Sequence, residues 1–257
     1  MITRESLLSN TPLIIAGPCS VASREQITKI AMDVSSAGAN AIRMMLWKPR
    51  TKPDSFQGVG EEGLSWIKHV KEASDLPIVT EVTSAGQVEM TEDLVDVLWV
   101  GARNMQNYDL LRAIKSDPRP VILKRGLISN MKEWLGAADY IGREKVILCE
   151  RGIRTGADVM RFTLDFNAVL AAKHDYNMPV IVDPSHSPGR RDMVPYLAQA
   201  AIALGADGVV VETHYDPEEE LVDRDQTIST EVFNILVKEL RDLHEVVKEP
   251  EWSSISK

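Results

Sequence analysis

Short aliphatic runs, unbroken by polar positions, recur along this chain and alternate with stretches whose apolar residues fall at helical spacing. The first run, Leu13-Ile14-Ile15-Ala16-Gly17, follows a polar start and stops at Pro18-Cys19-Ser20. Ser23, with Gln26 three residues on, has the form of a capping box and predicts a helix from about Arg24 to Ala37, stopped by Gly38. A strand over 41–47 follows. Further strands are predicted over 77–82, 97–101, 120–123, 145–149, 179–182 and 208–211. Helices are predicted over about 61–73, 85–94, 109–115, 131–141, 166–173, 194–204 and 230–247, and the tail beyond Glu249 is expected to fray.

A strand that is apolar at every position has both faces covered, as in parallel sheets sheathed by helices. Eight mainly aliphatic strands, each followed by a helical stretch, with no Pro/Gly/Ser-rich linker between them, predict a (β/α)8 TIM barrel, a single catalytic domain over 1–257. The alternative is an open doubly wound sheet. It would carry a Gly-rich fingerprint after the first strand, and none is present.

Composition narrows the partners. A net charge of -9 over 257 residues argues against nucleic acid. No apolar run approaches the roughly 20 residues that span a bilayer, and the first ten residues lack a basic start and an apolar stretch. A cytoplasmic protein is the expectation, in which Cys19 and Cys149 form no structural disulfide.

In a barrel of this kind the chemistry sits at the C-terminal ends of the strands. Read in order, those ends carry Cys19, then Arg43 with Lys48 and Arg50, Glu81, Arg103, Lys124 with Arg125, and Arg151 with Arg154. They close with His186 beside Arg190 and Arg191, and Glu212 beside His214. So many cations at one mouth repel each other unless a polyanion comes between them or acids pair with them. Glu81, Glu150 and Asp183 are the acids at hand for a purely structural network. A second set, Cys19, His186, Glu212 and one of Asp223 or Asp225, offers mixed S, N and O ligation suited to Mn, Fe, Co or Zn. Each of these residues alone has a bland reading: a small core cysteine, a loop histidine, an ion-pair glutamate.

Together the motifs resemble a known family. Gly17-Pro18-Cys19-Ser20, Lys48-Pro49-Arg50-Thr51 with Ser55-Phe56-Gln57-Gly58, and Gly101-Ala102-Arg103-Asn104 are present. So are Leu123-Lys124-Arg125-Gly126, Cys149-Glu150-Arg151-Gly152, Asp183-Pro184-Ser185-His186 and Val211-Glu212-Thr213-His214. Over about residues 13–228 the chain resembles 3-deoxy-D-arabino-heptulosonate 7-phosphate (DAHP) synthases of the type I beta branch, related to 3-deoxy-octulosonate 8-phosphate synthases. The resemblance implies a metal-dependent, aldol-like condensation of phosphoenolpyruvate with erythrose 4-phosphate, releasing phosphate, as the first step of the shikimate pathway. It also implies a homo-oligomer, a dimer or a tetramer.

By motif match it implies Cys19, His186, Glu212 and Asp223 as metal ligands. Arg43, Lys48, Arg103, Lys124, Arg151 and His186 would hold phosphoenolpyruvate, and Arg50 and Thr51 the aldose phosphate. Cys19, Lys48 and His186 would be the catalytic residues. Lys48 would either protonate the new alkoxide or stabilise its charge.

The chain departs from the family pattern at three places. Met44-Met45 follows Arg43 where two glycines are common, Tyr215 stands where a proline is common, and Leu221 to Gln226 replaces a Ser-Asp-Gly context, which leaves Asp225 open as a substitute ligand. The octulosonate enzymes usually read Lys-Ala-Asn-Arg-Ser where this chain reads Lys48-Pro49-Arg50-Thr51, which favours the four-carbon aldose. A metal-dependent phosphosugar hydrolase and a non-catalytic phosphosugar binder are the other readings. With the first strand near Leu13 and the last helix ending near Val247, the expectation is a bare barrel that Phe, Tyr and Trp do not inhibit directly.

Overall fold

Successive side chains of a strand go to opposite faces, and here both faces are apolar. In strand β1 (Leu13–Gly17), Leu13 and Ile15 join an inner cluster, while Ile14 and Ala16 join an outer one that includes the helices. The computed structural model describes residues 2–9, 12–50 and 52–247. The same inner–outer division holds for β2 (Ala41–Arg43), β3 (Ile78–Glu81), β4 (Val97–Val100), β5 (Val121–Lys124), β6 (Val146–Glu150), β7 (Val180–Val182) and β8 (Gly208–His214).

All neighbours pair in parallel in chain order, and β1 pairs with both β2 and β8, with Ile15 opposite Ala41 and Val210. The sheet therefore closes, and the predicted (β/α)8 barrel is the architecture found. Helices α2 (Arg24–Ala37), α3 (Ile67–Ser74), α4 (Ala85–Met90), α5 (Tyr108–Lys115), α6 (Met131–Ile141), α7 (Phe166–His174), α8 (Val194–Ala203) and α9 (Thr230–Val246) form the outer shell, after a short first helix α1 (Arg4–Leu8).

That first helix lies in the polar start, where the sequence predicted no element. Thr3 caps it, and Leu7, only 5% exposed, packs into the inner cluster with Leu13 and Ile15. The helix so closes the end of the barrel away from the strand C-termini. Helix α2 has the predicted bounds, with Gly38 at φ 96 ending it. Its capping box is not reciprocal: Ser23 accepts from the Gln26 backbone, but Gln26 reaches back to Ala22.

Several bounds move. The stretch predicted over 61–73 begins as a 3-10 turn over Gly60–Trp66 before α3, and the helix expected over 85–94 stops at Met90. Strand β8 runs to His214 because Thr213 and His214 pair with an unpredicted two-residue strand, β9 (Ile228–Ser229). Strand β2 ends at Arg43, since residues after Met44 turn away to meet a loop. Leu46 accepts from Gly60 N–H, and Lys48 N–H donates to Gln57. Gly58 sits there at φ 92, where a Cβ would lie 2.1 Å from the Leu46 carbonyl oxygen, so only glycine fits. The tail beyond Glu249 and Thr51 lie outside the described residues.

Candidate active site

The inner face of the barrel is hydrocarbon up to the last turn of the strands, and above that it is ionic. Arg43 of β2 meets Glu212 of β8 at 3.0 Å, and Lys124 of β5 meets Asp183, just past β7, at 2.5 Å. All four are at most 6% exposed. Over this layer opens a cavity of about 290 Å³, lined among the described residues by eight Lys or Arg side chains and only two carboxylates, Glu81 and Asp223.

His186 owes its orientation to Asp183. Pro184 ends the strand, and Asp183 Oδ1 then accepts from the Ser185 and His186 backbones, at 3.0 and 3.1 Å, making a tight turn. Asp183 Oδ2 lies 2.7 Å from His186 Nδ1. That contact holds the ring proton on Nδ1 and turns Nε2, as an acceptor, toward Glu212 at 3.3 Å and Asp223 at 3.6 Å. Burial lowers the His186 pKa, which keeps the ring neutral. Burial works against the charge on Asp183, yet His186 and Lys124 hold its carboxyl well below the usual carboxylate range.

Four ligand-type atoms, from Cys19, His186, Glu212 and Asp223, lie within 4.8 Å of one another. Cys19 follows β1, and its sulfur is 3.1 Å from Asp223 Oδ2. Glu212 is steadied by Gln226, whose Nε2 donates to Oε2 at 2.6 Å. Asp223 stands at φ 58, a left-handed position that Asp tolerates, and this swings it into the mouth. Asp225 is exposed and outside the cluster. Burial and Glu212 push the Cys19 thiol well up, against Lys48, whose ammonium is 2.8 Å from the sulfur. A thiol so placed becomes a thiolate in exchange for a cation. Glu212 Oε1 is buried without an aligned hydrogen-bond donor. A soft sulfur, a neutral imidazole nitrogen and two carboxylates fit a divalent transition ion.

The cations divide into two groups. Arg43, Lys48, Arg50, Arg103, Lys124 and Arg151 all line the cavity, as expected. Arg43 Nε and Nη1 and Arg151 Nε are buried without a protein acceptor, which suits them to an anion. Arg125, Arg154, Arg190 and Arg191 do not belong to the mouth, contrary to expectation. Arg125 points into the helical shell, bound to Glu150 at 3.0 Å and Asp165 at 2.9 Å. Arg154 is exposed, Arg190 pairs with Asp192, and Arg191 with Glu218. A residue next in sequence to an inward one points outward, so Lys124 and Arg125 part company. His214 faces Gln26 in α2 rather than the cavity, although alternation from Glu212 would turn it inward.

Other lining residues were not foreseen. Arg161 comes from the loop after β6, folded back by an Ile153–Thr163 bridge, and its guanidinium is 3.3 Å from Asp223 and 5.4 Å from the Phe162 ring. Met45 and Trp99 form part of the floor. Met45 occupies one of the two positions where glycines were expected, and Met44 packs outward. Nothing in the sequence marked Arg161 or Trp99, since an arginine in a loop and a large apolar residue in a strand are ordinary, and Met45 stood out only as a departure from the family pattern. Glu220, 1% exposed, accepts weakly from the Cys19 backbone at 3.4 Å, and burial pushes its carboxyl up to about 8.

Comparison with known proteins bears on this mouth. A profile of the DAHP synthetase I family matches residues 9–249. The phospho-2-dehydro-3-deoxyheptonate aldolase of Thermotoga maritima is 44% identical over 233 residues, which is 90% of this chain and 69% of that protein. Its crystal structure superposes with a TM-score of 0.86 at 42% identity, covering 91% of this chain and 69% of that one. A 2-dehydro-3-deoxyphosphooctonate aldolase of Desulfatibacillum aliphaticivorans is 31% identical over 249 residues, covering 89% of this chain and 90% of that one.

Proposed function

From the premise that this chain belongs to the DAHP synthetase I family, we propose how its barrel mouth joins phosphoenolpyruvate to erythrose 4-phosphate to give DAHP and phosphate. The observation that carries this reading is the cavity itself: eight cations face two carboxylates, beside a cluster of S, N and O ligand atoms. Two phosphorylated anions repel each other in water, and a ring of cations brings them together.

Arg43, Lys124, Arg103 and Arg151 would grip the phosphate and carboxylate of phosphoenolpyruvate, with Lys48 and His186 beside its reacting carbons. Arg43 and Arg151 bring N–H groups that have no protein acceptor. Arg50, which lines the cavity, would hold the phosphate of the aldose, together with Thr51 that follows it in the sequence. Enzymes of this family depend on a metal. Here Cys19, His186, Glu212 and Asp223 would hold it, with Mn, Fe, Co and Zn all compatible with the donor set. When bound, such an ion supplies Lewis-acid polarisation of the aldehyde carbonyl.

C3 of phosphoenolpyruvate attacks the aldehyde carbon, water adds at C2, and the C2–O bond to phosphate breaks. Burial opposes the charge on Lys48, but Cys19 and Glu212 outweigh it and raise its pKa. Lys48 therefore remains an ammonium at neutral pH, suited to steady the oxygen that becomes an alkoxide. Burial raises the Glu81 carboxyl, while Lys48, Lys124, Arg43 and Arg103 pull it back. Among the described lining residues Glu81 is the carboxylate outside the candidate ligand cluster, which makes it the group to take a proton from the adding water.

Phosphate release from phosphoenolpyruvate, measured with erythrose 4-phosphate and then with arabinose 5-phosphate, tests the reading. Turnover only with the five-carbon sugar would move the chain to the octulosonate reaction.

A further inference from the structure

Trp99 is the one aromatic residue in the apolar part of the barrel interior among the described residues. It is 2% exposed, packs with Met45, Val79 and Ile122 below, and forms part of the cavity floor above. Lys124 Nζ lies 5.1 Å from its ring centroid, and the Arg43 guanidinium carbon 6.0 Å. Both distances are within reach of the ring's negative π face, and the attraction is strongest where water is excluded.

The same two cations have carboxylate partners, Asp183 and Glu212. Asp183 is shared with His186 Nδ1 at 2.7 Å, and Glu212 belongs also to the candidate ligand cluster, so neither acid belongs to the cations alone. A further acid beneath Arg43 and Lys124 would fix them but cancel their charge. An aromatic face fixes them and adds no formal charge. Two donors of Arg43, Nε and Nη1, are buried without a protein acceptor, so this cation keeps hydrogen-bonding capacity for an incoming anion. The indole also closes the hydrocarbon interior below the cavity, which keeps the local dielectric low and the pull on an anion strong.

We propose that Trp99 is a positioning residue of the phosphoenolpyruvate half-site: its indole face holds Arg43 and Lys124 ready for the substrate's anionic groups without neutralising them. This rests on the function proposed above. A residue that only filled space could be replaced by an apolar side chain of similar size, and its loss would not distinguish one substrate from the other.

The test compares Trp99→Met, which loses the π face together with some volume, with Trp99→Phe, which keeps a smaller aromatic face. Phosphoenolpyruvate affinity is measured by calorimetry on the Mn-loaded protein, KM for both substrates by phosphate release, and folding by thermal melting. In W99M the Kd and KM for phosphoenolpyruvate are expected to rise about tenfold, with KM for erythrose 4-phosphate within about twofold of the parent. W99F is expected to recover most of the loss, remaining about threefold weaker than the parent for phosphoenolpyruvate. If W99M fails to fold, that selective loss in W99F carries the test. Unchanged phosphoenolpyruvate binding in either folded variant overturns the proposal, as does a parallel rise in both KM values without recovery in W99F. The calorimetry needs no turnover, so a parent protein that binds phosphoenolpyruvate but transforms neither aldose phosphate points to a wrong reaction rather than a wrong role for Trp99.

Discussion

The Lys48 ammonium stands 2.8 Å from the Cys19 sulfur and 3.3 Å from the Cys19 carbonyl oxygen, which joins the candidate metal cluster to the candidate anion site through one side chain. Replacing Lys48 by Met keeps the stem and removes the charge. Steady-state assays of Lys48→Met are expected to show kcat lower by at least about 100-fold, the scale of losing one donor aimed at a developing oxyanion. The melting temperature should fall as well, because removing one partner of a buried charged contact is destabilising, so kcat is compared on protein shown by melting to be folded. A variant with near-parental kcat would remove Lys48 from the chemistry.

Metal dependence separates two neighbouring acids. Asp223 is within the ligand cluster and Asp225 is exposed. Turnover is expected to stop in excess chelator and to return with Mn. Metal titration by calorimetry is expected to show affinity reduced at least about 100-fold in Asp223→Ala and Cys19→Ala, and within about threefold of the parent in Asp225→Ala. Full turnover in excess chelator would sink the idea that this mouth works through a bound ion.

The aldose is measured by the span between its two anchors. Arg50 lines the cavity beside Pro49, which fixes its own φ and restricts Lys48 before it. A rim held in this way does not stretch by one carbon, and a misplacement of about 1 Å costs on the order of 100-fold in rate. Erythrose 4-phosphate is expected to exceed arabinose 5-phosphate in kcat/KM by at least about tenfold, or about 1.4 kcal/mol. Arg50→Ala should raise KM for the aldose phosphate far more than for phosphoenolpyruvate, and an equal rise in both would show that Arg50 is not an anchor for the aldose.

Away from the mouth, Arg119 is locked to Asp117 by bonds of 2.9 Å at Nε and 2.6 Å at Nη2, and it also donates to the Thr91 and Val88 carbonyls at the end of α4. Burial works against the charge on Asp117, but the bonds from Arg119 prevail and set its carboxyl below the ordinary 3.8. A carboxyl depressed by folding contributes stability above its unfolded pKa and loses it as pH falls through the folded value. Asp117→Asn is therefore expected to lose about 1–3 kcal/mol at neutral pH. Thermal melts from pH 7 to pH 3 should show the gap to the parent narrowing, and a constant gap would mean that charge is not what Asp117 contributes.

The barrel was legible because each strand is aliphatic up to its C-terminal end and each helix shows its own spacing or cap, as with Ser23 and Gly38 around α2. These are local signals, carried by neighbours in the chain. The cations and ligand candidates at the strand ends could be named for the same reason, once a closed parallel barrel had assigned all those ends to one mouth. Alternation along the chain did not separate Lys124, which faces inward, from Arg125, which faces the helices. Nor did it separate Asp223 from Asp225, since that choice depends on a left-handed backbone turn at Asp223. Leu7 reads as part of a polar start until the barrel offers it an open end to plug, and Trp99 reads as core until Lys124 and Arg43 come to lie over it. Only the tertiary structure decided these assignments, because each rests on contacts between residues distant in the chain, formed when β1 meets β8 and the loops converge over one opening.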